Sequence, residues 1–259
     1  MENAFGQPQN VVVLGGSSDI ARAIVKKLCA ARTHSVVLCG RSQELLDAAA
    51  AEARDYGATK TDTVIFDAMD TRGAARVVTE AFAKVNDQVD LVIMAVGLLG
   101  NQVEMQNSAK DAAAMMSVNV TWPVAALAEV RRRLVDQGRG RILVISSVGA
   151  IRVRSSAYLY GGAKAGLDRL CMGMADSLEN TGVTMQILRA GVVRTKMTAG
   201  LPEVPFTTGP NEVAEYVVRG LATGQRVIWS PPMLRYVFGV LRHLPTPLFR
   251  KLVDRERTS

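Results

Sequence analysis

The chain has 259 residues, 48% of them apolar, and carries a formal charge of +7. A chain of this size can bury one large core, and its two histidines and three scattered cysteines exclude a disulfide framework and zinc-type ligand spacing. The basic balance comes without an aromatic stacking array or a recognition motif, which argues against nucleic-acid binding.

Met1 to Gln9 is polar and lacks the basic start and apolar core of a signal peptide. The first predicted strand, Val11-Val12-Val13-Leu14, runs straight into Gly15-Gly16-Ser17-Ser18-Asp19-Ile20-Ala21. Ala21, Ile24, Val25 and Leu28 then recur at helical spacing. Strand, glycine turn and amphipathic helix in that order make a dinucleotide-binding start. Glycine lets the backbone approach a pyrophosphate, and free N–H groups at the helix start attract its charge. Gly15, Ser17, Ser18, Asp19 and Ile20 are therefore candidate cofactor contacts. Asp19 is the odd member, because a carboxylate facing a pyrophosphate repels it; the expectation is that it caps the helix instead. A second strand, Ser35 to Cys39, ends in Gly40-Arg41-Ser42. An NAD-binding protein usually places a carboxylate there for the ribose hydroxyl, whereas Arg41 suits a 2′-phosphate. NADP(H) is favoured; NAD(H) stays open, since a guanidinium also stacks on adenine.

Strands and helices keep alternating, which predicts an α/β fold with a doubly wound parallel sheet in a single domain. Ser147 closes an apolar strand-like run, Tyr160 follows thirteen residues later, and Lys164 four residues after that. On a helix, positions i and i+4 share one face, so a phenol and an ammonium stand side by side. Free tyrosine titrates at about pH 10, and a neighbouring cation lowers that value, which makes Tyr160 a candidate general acid or base. Taken alone, the pair also fits two surface residues at helical spacing. Ser146 is expected to line the sheet end, Tyr158 to face elsewhere, and His34 and His243 to lie outside the constellation.

Together these residues resemble the short-chain dehydrogenase/reductase superfamily, from about Val11 to Thr195. The resemblance implies a Rossmann-like sheet of about seven strands. It also implies adenine contact by Asp67, a cofactor turn at Ala95-Val96-Gly97, and a catalytic set of Asn119, Ser147, Tyr160 and Lys164. Val193 and Thr195 fall in the loop that holds the nicotinamide carboxamide. Asp19 and Ala21 replace two customary glycines and Ala190 a customary proline, and none of these changes removes a catalytic atom. Within the superfamily the chain resembles the decaprenylphosphoryl-2-keto-erythro-pentose reductases. Val96-Gly97-Leu98-Leu99-Gly100, Lys164-Ala165-Gly166-Leu167-Asp168 and the tail run Arg235-Tyr236-Val237 carry that likeness. It implies reduction of the 2-keto group of a polyprenylphosphoryl pentose during cell-wall arabinan precursor synthesis. A homodimer or homotetramer formed through the long central helices is implied by the superfamily. Two alternatives remain: a reductase of another ketone, such as an acyl-thioester or small carbonyl, and a non-catalytic dinucleotide-binding protein.

Met197 to Asn211 lacks periodicity and reads as a substrate lid. Arg189, Arg194 and Lys196 flank it, and Arg152 and Arg154 lie between Ser147 and Tyr160; all are candidate phosphate partners. From Arg226 onward, seven Lys and Arg face two acids, which is most of the chain's excess charge. Residues 232–259 are expected to form a basic amphipathic extension, with an apolar helix between Pro232 and Pro245 and a second piece around Leu248 to Val253. Such a segment suits peripheral contact with an anionic membrane, and it equally suits packing on the core or a second subunit with snorkelling arginines. No stretch is expected to reach the roughly 18 apolar residues that cross a bilayer. Cys29, Cys39 and Cys171, each in an apolar run, read as buried thiols in a reducing, cytoplasmic setting.

Overall fold

Val11, Val12, Val13 and Leu14 are 0% exposed, the two-sided burial that an unbroken apolar run predicts for a central parallel strand. In the computed structural model, which describes residues 6–254 and the side chains of 6–251, they belong to β1, Asn10–Leu14. The chain continues through α1 (Asp19–Ala30), β2 (Ser35–Gly40), α2 (Gln43–Asp55), β3 (Lys60–Ile65), α3 (Ala74–Ala83) and β4 (Leu91–Met94). After the single turn α4 (Gln102–Met105) come α5 (Ala109–Met116), a π turn over Ser117–Thr121 and α6 (Trp122–Gln137). Then follow β5 (Gly140–Ser147), α7 (Tyr158–Asp176), β6 (Val183–Ala190), α8 (Pro210–Ala222), β7 (Val227–Ser230), α9 (Leu234–Leu241) and α10 (Thr246–Asp254).

The strands form one parallel sheet in the order β3-β2-β1-β4-β5-β6-β7. Successive residues of a strand face opposite sides, and the core divides accordingly. Val12, Leu14 and Val37 pack with α3, α6 and α7 on one side; Val11, Val13 and Leu38 pack with α1, α2 and α8 on the other. The Phe66 and Trp122 rings stack at 4.3 Å and 12° between planes, an arrangement that contributes about 0.5–1.5 kcal/mol beyond area burial.

Contrary to expectation, charge does not interrupt every long apolar stretch. Residues 109–137 form a single 29-residue helix that is, by length and composition, apolar enough to cross a bilayer. Here it is the crossover between β4 and β5, and Trp122, Ala126, Leu127, Val130 and Leu134 lie 0% exposed against the sheet. The strand order reverses between β1 and β4, so the turns after those strands part and leave a crevice.

In the C-terminal extension, the helix expected between Pro232 and Pro245 is α9 and the second piece is α10. The side chains of Leu252 and Val253, and residues Arg255 and Arg257, lie outside the described residues.

Candidate active site

The crevice begins at the glycine turn. Gly15 has φ +98°, and a methyl group there would stand 2.7 Å from the Ala95 carbonyl carbon. Only glycine allows both that conformation and that approach of β1 to the end of β4. Ser18, not Asp19, caps α1, its hydroxyl accepting from the Ala21 N–H at 3.4 Å. Asp19 is the first helical residue, a position the helix dipole favours for an acid. Its carboxylate turns toward the loop after β6, where it accepts the Lys196 N–H at 2.8 Å, with the Lys196 Nζ 3.8 Å away. The residue that looked out of place in the turn thus ties the turn to the loop after β6.

From there a cleft of about 400 Å³ runs across the sheet edge. Gly15, Ser17, Ser18, Asp19 and Ile20 line its middle; Arg41 and Asp67 stand at one end, and Tyr160, Lys164, Val193 and Thr195 at the other, with Ala95 and Gly97 between. Asp67 holds its own loop, Oδ1 accepting the Met69 N–H at 2.9 Å. Thr195 is steadied by Thr198, whose hydroxyl accepts the Thr195 N–H at 3.0 Å. The residues fit a nicotinamide dinucleotide: a turn without side-chain bulk beside a helix N-terminus for the pyrophosphate, a guanidinium at the adenosine end, and a phenol–ammonium pair at the far end. A second cavity, of about 470 Å³, lies against residues 194–207 and shares Asp19, Thr195, Lys196 and Thr198 with the cleft. It includes none of Ser147, Tyr160 or Lys164, all of which line the longer cleft, while Asn119, 0% exposed, lines neither.

Four elements converge on the far end. Ser147, at the tip of β5, accepts the Gly149 N–H at 3.1 Å. Tyr160 and Lys164 share one face of α7, with Nζ 6.0 Å from the ring centroid. Burial raises the Tyr160 phenol above its ordinary value, and a side-chain hydrogen bond with Ser147 opposes that rise. The expected lowering by Lys164 is not what dominates here, because the ammonium points at the sheet and donates to the Ile145 carbonyl at 3.2 Å. Lys164 is itself only 5% exposed, and burial lowers its pKa to about 8. Asn119 sits in the π turn, a distortion common at functional sites. It grips the loop after β4, donating from Nδ2 to the Leu98 carbonyl at 2.8 Å and accepting the Leu98 N–H at Oδ1 at 3.1 Å. That grip holds Gly97 so close that a methyl group there would meet Asn119 Oδ1 at 3.1 Å and Lys164 Nζ at 3.3 Å.

Several proposed phosphate partners are otherwise engaged. Arg189 donates to Asp168 from Nε at 3.0 Å and from a terminal nitrogen at 2.8 Å, and Ser146 donates to the same carboxylate at 2.9 Å. Ser146 also lines the cleft, and its hydroxyl faces Asp168 on α7. Arg152 stacks on Phe249 at 4.6 Å and donates to the Leu244 carbonyl at 3.3 Å, so it braces the C-terminal extension. Arg194 pairs with Glu203 at 3.2 Å. Tyr158 is 44% exposed, away from the pair. His34 bonds Thr59, and His243 accepts from Arg242. Among the described residues no group of three or more His, Cys, Asp or Glu could hold a metal. Burial raises all three thiols, Cys29 to about 11 and Cys171 to about 12, which leaves them unreactive near neutral pH.

The family profile for short chain dehydrogenases matches residues 9–204. The chain belongs to that family. It is 36% identical to an uncharacterized oxidoreductase of Streptomyces coelicolor, over 97% of this chain and 99% of that one. It is also 36% identical to an uncharacterized oxidoreductase of Mycobacterium tuberculosis, over 93% and 96%. A Burkholderia cenocepacia short chain dehydrogenase solved in complex with NADP superposes with a TM-score of 0.78, covering 95% of this chain and 98% of that one at 19% identity, a likeness of fold. The protein is an NAD(P)-dependent oxidoreductase with the Rossmann-like sheet of this family.

Proposed function

We propose that the protein reduces a ketone to a secondary alcohol with NADPH, using Tyr160 as the proton donor. The observation that carries this reading is that Tyr160, hydrogen-bonded with Ser147 and on the same helix face as Lys164, lines one end of the cleft with both. When bound, the reduced nicotinamide supplies hydride to the carbonyl carbon. Tyr160 gives its phenolic proton to the carbonyl oxygen as negative charge builds there, and Ser147 donates a hydrogen bond to the same oxygen. The Lys164 charge steadies the phenolate left behind. Asn119 fixes the Gly97 loop against Lys164. Thr195 orients the carboxamide.

Arg41 supports the choice of NADPH, since it is exposed at the cleft rim where β2 ends. The NADP bound by the Burkholderia relative accords with it. For the substrate we propose the 2-keto group of a polyprenylphosphoryl pentose, supported by the motif likeness and by the basic, apolar C-terminal extension. A homodimer or homotetramer is supported by Met116 and Leu170, which are 44% and 49% exposed on the long helices. The test follows loss of nicotinamide absorbance with the keto-sugar lipid, an acyl-thioester ketone and a small ketone, using NADPH and NADH. Wild type should favour NADPH and the lipid. Arg41→Ala should raise KM for NADPH about tenfold or more, because hydrogen bonds to charged groups contribute about 1.5–3 kcal/mol. Equal use of NADH and NADPH by both forms would reject the phosphate role, and turnover confined to the small or thioester ketones would reject the lipid sugar.

A further inference from the structure

We infer that α9, α10 and the turn between them form a docking surface for an anionic lipid bilayer. The segment is anchored from within: Leu234 and Phe249 are 5% and 7% exposed. Its opposite side is apolar and open to solvent, with Met233 54%, Tyr236 69%, Val240 66% and Leu248 55% exposed. Met233, Tyr236 and Val240 follow i, i+3, i+7 spacing, so they form one stripe along α9. Arg235, Arg242, Arg250 and Lys251 are also exposed beside it, and no acid occurs from Pro231 to Lys251. Apolar side chains flanked only by cations match a surface that is apolar within and negative at its rim, which describes an anionic bilayer. A second copy is the poorer match, because the chain as a whole carries +7.

The surface adjoins the reductase site. Arg152, on the loop after Ser147, stacks on Phe249 at 4.6 Å. Leu234 and the Phe206 backbone of the lid flank Gly191, where a methyl group would meet Leu234 Cδ1 at 2.6 Å. Docking therefore brings the lid and the mouth of the cleft to the lipid. The inference does not rest on the proposed reaction, since binding is measured without turnover.

The experiment is co-sedimentation of the full-length protein with phosphatidylcholine vesicles, with and without phosphatidylglycerol, at low and high salt. Wild type should pellet with the anionic vesicles and be released by salt. Arg235→Gln with Arg242→Gln should lower the partition coefficient about thirtyfold, at about fivefold, or about 1 kcal/mol, per cation. Met233→Ser with Tyr236→Ser and Val240→Ser should abolish pelleting, while NADPH affinity and thermal melting stay at wild-type values as a check on folding. Wild type remaining in the supernatant, or equal pelleting of all forms, would overturn the inference. So would a lower sedimentation-velocity mass for the triple variant without vesicles, which would assign the face to a second copy.

Discussion

Removing the Asp168 carboxylate should cost more stability than any other single change near the cleft. Asp168 is 2% exposed and accepts hydrogen bonds from Ser146 Oγ and from Arg189 Nε and a terminal nitrogen. In Asp168→Ala the Arg189 guanidinium, 12% exposed and lying 5.3 Å from the Trp229 ring, keeps its charge without a counterion. Breaking a buried pair from one side costs roughly 3–5 kcal/mol, and the Ser146 hydroxyl left without its acceptor adds about 1. Against a stability of about 5–15 kcal/mol this is a large loss. With a urea slope of about 1–3 kcal/mol/M, the unfolding midpoint should fall by about 2 M. Asp168→Leu with Arg189→Met removes both charges and should recover most of the loss, because an apolar pair of similar volume is often neutral or better. Urea unfolding followed by circular dichroism reads both variants. A midpoint for Asp168→Ala within a few tenths molar of wild type, or a double variant no more stable than the single one, would refute the reasoning.

Two further outcomes follow from the catalytic geometry. The Lys164 pKa of about 8 lies below its ordinary value of 10.5, so between those values the unfolded chain binds more protons and stability rises with pH. Reduction should run the other way, with kcat/KM falling as pH rises through about 8 and the ammonium is lost, while the raised Tyr160 phenol stays protonated; a flat profile to high pH would contradict this. Gly97→Ala places a methyl group 3.1 Å from Asn119 Oδ1 and 3.3 Å from Lys164 Nζ. It should lower kcat/KM about tenfold to a hundredfold, or about 1.4–2.7 kcal/mol, with little change in the unfolding midpoint, and full activity would show that the contact is not needed.

What was legible in the sequence was legible for physical reasons. A strand buried on both faces must be apolar throughout, and Val11 to Leu14 is; helical spacing alone puts Tyr160 beside Lys164. The partners of the arginines were hidden, because ion pairs across a fold leave no local pattern. Asp168 lies 21 residues before Arg189, and only its position four residues after Lys164, on the inward face of α7, hinted at burial. Arg152 and Phe249 are still farther apart in sequence. Asp19 misled for a related reason, since the capping rule looks along one helix while its acceptor bond crosses to Lys196. The seventh strand, Val227–Ser230, was too short and too mixed to stand out beside Gly224, Gln225 and Arg226. The uncharged middle of the 109–137 helix looked interrupted because its bounding charges, such as Glu129, which pairs with Arg132 and Arg133 on the same helix, do not end a helix that continues through them.

Tyr160 supplies the proton in the proposed reaction. Single-turnover hydride transfer in Tyr160→Phe, followed by nicotinamide absorbance, tests it directly when NADPH affinity is measured on the same preparation. Affinity should stay within about threefold of wild type, and the transfer rate should fall by about 10²–10⁴-fold, the usual contribution of a positioned acid. Transfer at the wild-type rate would contradict it.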